Sequence, residues 1–199
     1  MNHFKFISIL CVAAVIAGCA KDSVTEHVDY ANNQLRILVD ECEPGDTATL
    51  LPRALAADGS LIYTKPQGWT SGFFPGSLWY MYELTGDQYW ADKAARHTEI
   101  LEEVQYNVGH HDTGFMIGCS YGNGLRLTGK EEYKPIMVQA AKSLSTLFSP
   151  STGLIRSWGP NNGTVQKKGW KYAVIIDNMM NLELLFEAAK ISGDSTFYQ

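Results

Sequence analysis

Two aspartates are the best candidates for acid and base chemistry in this 199-residue chain. Asp177 follows Val174-Ile175-Ile176 and precedes Met179-Met180, an apolar setting of the kind that keeps a carboxyl protonated and suits it to proton donation. Asp112 sits among His110, His111 and Thr113, a polar setting that favours the ionised form. One protonated and one ionised carboxyl are what general acid–base catalysis requires. The plain structural alternative is that both aspartates are helix N-caps accepting backbone N–H bonds. Trp69, Trp158 and Trp170 flank these positions in Gly- and Pro-rich loops. There an indole offers a flat surface for a sugar ring, or joins a small apolar cluster under a loop. His110 and His111 are adjacent and no Cys-x-x-Cys occurs, so no metal-ligand spacing is present. Gly122-Asn123-Gly124 is too short to cradle a phosphate, and no Gly-x-Ser-x-Gly elbow exists. Neither a metal nor any other cofactor is expected.

The elements that must position these residues are helical. Val28, Ala31, Leu35 and Leu38 recur at helical spacing, as do Trp90, Ala94, His97, Leu101 and Val104, and again Tyr133, Ile136, Ala140, Leu144 and Leu147. No run of alternating strand residues stands out, and His97 on its apolar stripe reads as a core residue. The chain also repeats itself: Leu84-Thr85-Gly86-Asp87, Leu127-Thr128-Gly129-Lys130 and Ile191-Ser192-Gly193-Asp194 share one shape. Each reads as a helix closed by a left-handed glycine, followed by a polar turn that opens a second helix. A repeated helical hairpin implies a bundle, a solenoid or a closed ring, because one hairpin cannot bury its own apolar face. Trp69 lies 17 residues before Gly86, Asp112 lies 17 before Gly129, and Asp177 lies 16 before Gly193. The three residues thus share nearly one phase, and parallel first helices would bring them to one end of a common axis. The last repeat breaks off at Phe197-Tyr198-Gln199, where its second helix should begin, so the chain reads as the truncated start of a longer array.

Residues 1–19 read as a lipoprotein signal peptide: Lys5, an apolar run from Phe6 to Val15, then Ile16-Ala17-Gly18-Cys19, with Cys19 as the lipidated residue. The run is short for a membrane span, so the chain is expected in the periplasm or cell envelope, held to the membrane only by lipid. A net charge of −5 leaves no basic surface for nucleic acid. Cys42 and Cys119 make no disulfide framework and read as buried thiols. Asn161-Asn162-Gly163-Thr164 reads as a turn.

The segments Gly68-Trp69-Thr70-Ser71-Gly72-Phe73-Phe74-Pro75-Gly76, His111-Asp112-Thr113-Gly114-Phe115 and Ile176-Asp177-Asn178-Met179-Met180-Asn181, with the Leu-Thr-Gly-type turns between them, resemble the unsaturated glucuronyl hydrolases, glycoside hydrolase family 88. The resemblance implies an all-α (α/α)6 barrel, a ring of six helical hairpins, with residues 20–199 as about its first half. It implies an enzyme that removes the unsaturated uronic acid from the non-reducing end of polysaccharide-lyase products by hydrating the C4=C5 enol ether. It further implies Asp177 as proton donor and then base, Asp112 as its partner on the substrate, Trp69 and Trp158 as stacking surfaces, and His111 as a hydrogen-bonding group beside Asp112. An unsaturated oligosaccharide is the implied partner. The competing classes are unsaturated rhamnogalacturonyl hydrolases, a non-catalytic glycan-binding lipoprotein, and a helical-ring sugar epimerase.

Overall fold

The computed structural model describes residues 23–42 and 51–198; the signal-like residues 1–19, Cys19 included, lie outside them. The described residues divide after Glu41 into two units. The described part of the first is helix α1 (Ser23–Cys42) up to Glu41, on which Val28, Ala31, Leu35 and Leu38 form a half-buried stripe. Among the described residues no helix is long and apolar enough to cross a membrane.

The second unit is built from helical hairpins. Helix α2 (Phe73–Thr85) is followed by α3 (Gln88–Glu99) and a 3-10 turn over Glu102–Tyr106. Helix α4 (Thr113–Ile117) runs through a π turn (Gly118–Gly122) into α5 (Asn123–Thr128), and α6 (Tyr133–Ser145) returns. After the short α7 (Gly163–Lys168), α8 (Asn178–Asn181) leads into α9 (Glu183–Ser192), and a 3-10 turn over Ser195–Tyr198 opens the next return. Gly86, Gly129 and Gly193 close the three first helices at φ of 68°, 68° and 73°. Each sends its N–H back to the helix it ends, to Tyr82, Leu125 and Ala189, the left-handed cap that glycine adopts without a Cβ clash. The expected stripe of α3 is buried from Trp90 through Ala94, His97 and Leu101 to Val104. Trp79, fully buried on α2, donates its indole N–H to Thr98 Oγ1 at 3.0 Å and locks the first hairpin.

Two short strand pairs accompany the helices of this all-α fold. Strands β1 (Leu51–Leu55) and β2 (Leu61–Thr64) pair antiparallel, and β3 (Phe148–Ser149) pairs with β4 (Leu154–Ile155). The first pair is short, and a register shift between Pro52 and Ala54 breaks the alternation that would reveal it. Its turn was readable in Asp58-Gly59: the Asp58 carboxylate accepts from the Ser60 N–H at 3.0 Å. The Asn161–Thr164 stretch is a helix start, with Asn162 Oδ1 accepting from the N–H groups of Thr164 and Val165.

Consecutive first helices meet through glycine. A Cβ on Gly72 would overlap the Met116 main chain, and one on Gly114 would overlap the main chain of Asn181. Phe115 N–H donates to Asn181 Oδ1 at 2.7 Å across that contact. Gly114→Ala in the complete protein therefore destabilises by about 1–3 kcal/mol through overpacking, although alanine is otherwise the better helix former. Thermal unfolding checks this, and a raised Tm would show that the two backbones have room to part.

Candidate active site

Asp112 and Asp177 each stand immediately before the first residue of their helix, and neither side chain makes a cap bond. Their backbones are already helical, at φ/ψ of −61°/−6° and −69°/−8°, not in the extended conformation from which a capping carboxylate folds back onto the N–H groups. Both carboxylates are free for other work. The N-cap alternative is thereby set aside.

They converge on His111, which is fully buried. Its Nε2 lies 3.5 Å from Asp112 Oδ1 and 3.8 Å from Asp177 Oδ1, and the three atoms fall within 4.8 Å of one another. The opposite ring nitrogen, Nδ1, is 2.9 Å from Asn178 Oδ1. The Asn178 amide cannot be reversed, because its Nδ2 donates to the Ile155 carbonyl at 2.7 Å and a carbonyl only accepts. Nδ1 therefore carries a proton and donates. Among the described residues neither His111 Nε2 nor Asp177 Oδ1 has a hydrogen-bond partner. His111 thus turns Nε2 toward two carboxylate oxygens, a place where one proton can be shared among the three atoms. A cation can also bridge atoms at this spacing.

Ser157, fully buried, ties the surrounding loops together. Its N–H donates to Ala173, its carbonyl accepts from His111 N–H at 3.0 Å, and its hydroxyl accepts from Ile175 N–H at 2.9 Å. His110 and Trp158 pair across an antiparallel bridge beside it. Above Asp112 opens a cleft of about 520 Å³ whose lining includes Trp69, His110, Asp112, Trp158 and Asn161. Trp69 is half exposed and its ring meets Phe73 edge-on at 5.8 Å, which braces the indole while leaving a surface for a ligand.

Of the five cleft and catalytic residues expected from sequence, Trp69, Asp112 and Trp158 thus line the cleft, and His111 and Asp177 cluster with Asp112. Trp170 is exposed and is not part of the lining. The expected apolar enclosure of Asp177 is absent: Ile176, Met179 and Met180 are 89%, 71% and 66% exposed, while the Asp177 side chain is 34% exposed. Its sequence neighbours project to the surface, and the group beside its Oδ1 is His111. His111 in turn spends its hydrogen bond on Asn178, with Asp112 at the longer distance. Asn178 and Ser157 escaped the sequence reading, since nothing along the chain shows that their amide and hydroxyl fold back on the site.

No family model matches the chain. It is 43% identical over 153 residues to an unsaturated glucuronyl hydrolase of Formosa agariphila, covering 76% of this chain and 37% of that protein. It is 33% identical over 147 residues to one of Bacillus sp. strain GL1, covering 71% and 38%. A solved unsaturated glucuronyl hydrolase described as specific for heparin superimposes with a TM-score of 0.75 at 37% identity, over 86% of this chain and 44% of that one. The chain belongs to the unsaturated glucuronyl hydrolases. It spans about two fifths of the length of the curated relatives it matches. Its fold is that of the six-hairpin glycosidases, in part.

A second cavity, of about 590 Å³, runs along the inner helices of this glucuronyl hydrolase fold between Tyr80, Cys119, Arg126 and Glu183. The Arg126 guanidinium grips Glu83 with bonds of 2.6 and 2.7 Å and holds that carboxyl below its ordinary range. Burial, and secondarily Glu183, pushes the Cys119 thiol up to about 11 from an ordinary 9.0. The fold thus favours the neutral thiol, a contribution fully present below pH 9.0 and lost as the pH rises through about 11. Iodoacetamide alkylation of Cys119 in the native protein should follow that displaced midpoint, well above that of the same cysteine in the denatured chain. Equal midpoints would contradict the burial.

Proposed function

We propose that the protein to which this chain belongs removes the unsaturated uronic acid from the non-reducing end of lyase-generated glycosaminoglycan oligosaccharides. The single observation that carries the reading is the pair of uncapped carboxylates facing one another across His111, beside a cleft walled by Trp69 and Trp158. Family membership supports it. Asp177, the more exposed of the two carboxyls, meets substrate and water. Its proton passes to C4 of the enol ether, and the positive charge develops at C5 beside the ring oxygen. Water then adds at C5 and returns a proton to the Asp177 carboxylate, so the acid is regenerated. The C5 hemiketal opens to a ketone, which leaves C1 as a hemiacetal that releases the neighbouring sugar. Asp112, largely buried, orients the substrate and, through His111, sets where the cluster's proton resides. This route differs from displacement at the glycosidic carbon by a pair of carboxylates. The Ile16-Ala17-Gly18-Cys19 ending supports a lipid-anchored place in the cell envelope.

In the complete protein, Asp177→Asn lowers kcat by roughly a hundredfold to ten-thousandfold, followed as loss of the conjugated double bond's ultraviolet absorbance. Wild-type-like turnover by that variant would sink the reading, and binding without bond change by the unsubstituted protein would make it a glycan-capture protein. Trp69→Ala raises KM and leaves kcat unchanged if stacking is uniform binding; a fall in kcat alone removes that role. A chelator leaves the rate untouched if the cluster handles a proton, whereas loss restored by a divalent cation would make the three side chains metal ligands.

A further inference from the structure

His110 lies beside the proton cluster and has no part in the chemistry above. Its Nε2 is 3.0 Å from Asn107 Nδ2, and its Nδ1 is 3.0 Å from Asp112 Oδ2. The Asn107 amide has one orientation, because its Oδ1 accepts from the Gly109 backbone N–H at 2.9 Å and an N–H only donates. Asn107 Nδ2 therefore donates to the ring, His110 Nε2 must be the acceptor, and the ring proton is left on Nδ1. The backbone fixes the ring's place: His110 bridges to Trp158, and Gly159 N–H donates to the Gly109 carbonyl at 3.2 Å.

The geometry points to His110 as the positioning residue of Asp112, a histidine held in its Nδ1–H tautomer by Asn107 so that it presents a donor to Oδ2. The two oxygens of Asp112 then have different tasks. Oδ2 is claimed by His110, and Oδ1 is left to face His111 and Asp177. The Nδ1 contact has the distance of a hydrogen bond but not yet its alignment, and a small turn of the carboxyl on substrate binding aligns it, as catalytic hydrogen bonds commonly tighten in the complex.

This role rests on the hydration reading, and its test separates the two. In the complete protein, His110→Ala lowers kcat on lyase-generated disaccharide roughly tenfold to a hundredfold, the scale of a hydrogen bond to a charged group, with KM nearly unchanged. His110→Asn, whose amide N–H falls near the place of Nδ1, restores most of the rate, which a loss of packing would not allow. Ring nitrogen NMR, which needs no substrate, finds Nδ1 protonated and Nε2 bare in the unsubstituted protein, and Asn107→Asp, which replaces the donor facing Nε2 by an acceptor, protonates Nε2 as well. A proton on Nε2 in the unsubstituted protein, or His110→Ala at full kcat, overturns the proposal. A ring protonated at Nδ1 in a protein that leaves the unsaturated disaccharide intact overturns the hydration reading instead.

Discussion

The main chain at Asn181 lies so close to Gly114 that no side chain fits between them, and the geometry of the site follows from that contact. Gly114 sits two residues after Asp112, and Asn181 four after Asp177, so pressing the two helix starts together carries both carboxylates to one point. Asn181 secures the approach with its own amide, accepting from Phe115 N–H and donating to the Asp177 carbonyl. One hairpin earlier, Gly72 meets Met116 in the same manner and delivers Trp69 to the same side. A rigid scaffold of this kind places reacting groups without help from flexible loops.

Around the carboxylates, asparagines settle the ambiguity that histidines carry. Each imidazole is symmetric enough to place its proton on either nitrogen, and the choice is made by whatever touches the other side. Asn178 makes it for His111 and Asn107 for His110, and each asparagine is itself oriented by a backbone group that has only one polarity. Direction thus passes from the main chain through amide to ring to carboxylate. The two rings end with different tasks: His111 turns Nε2 toward both carboxylates and His110 turns Nδ1 toward Asp112 alone. A buried polar network of this sort is worth having only when nearly every member is satisfied, and its open places, at His110 Nδ1, His111 Nε2 and Asp177 Oδ1, gather around the two carboxylates.

Much of this was legible in one dimension because glycine and helical period are local signals. Gly86, Gly129 and Gly193 marked the hairpins, and counting back from them found Asp112 and Asp177 at one phase. The three ordered motifs identified the family and the ring. What escaped was set by distance along the chain. Asn178 reaches His111 across 67 residues, and Ser157 joins loops on either side of it. Local context even misled at Asp177, where the apolar neighbours in sequence turned out to face solvent. The β1–β2 pair was hidden by its bulge. Sequence distance says which residues are bonded neighbours, whereas environment is decided by which side of a turn each one projects from.

The π turn at Gly118–Gly122 bears on how these repeats compare with one another. From Asp112 to Gly129 is 17 residues and from Asp177 to Gly193 is 16, yet both segments join an uncapped aspartate to a left-handed glycine. The widened turn of the longer helix is a place where an extra residue can be absorbed as a local swelling. Gains and losses of single codons in such a ring therefore need not be confined to its loops. An alignment that forbids gaps inside helices would slide one aspartate out of step with the other and conceal their equivalence.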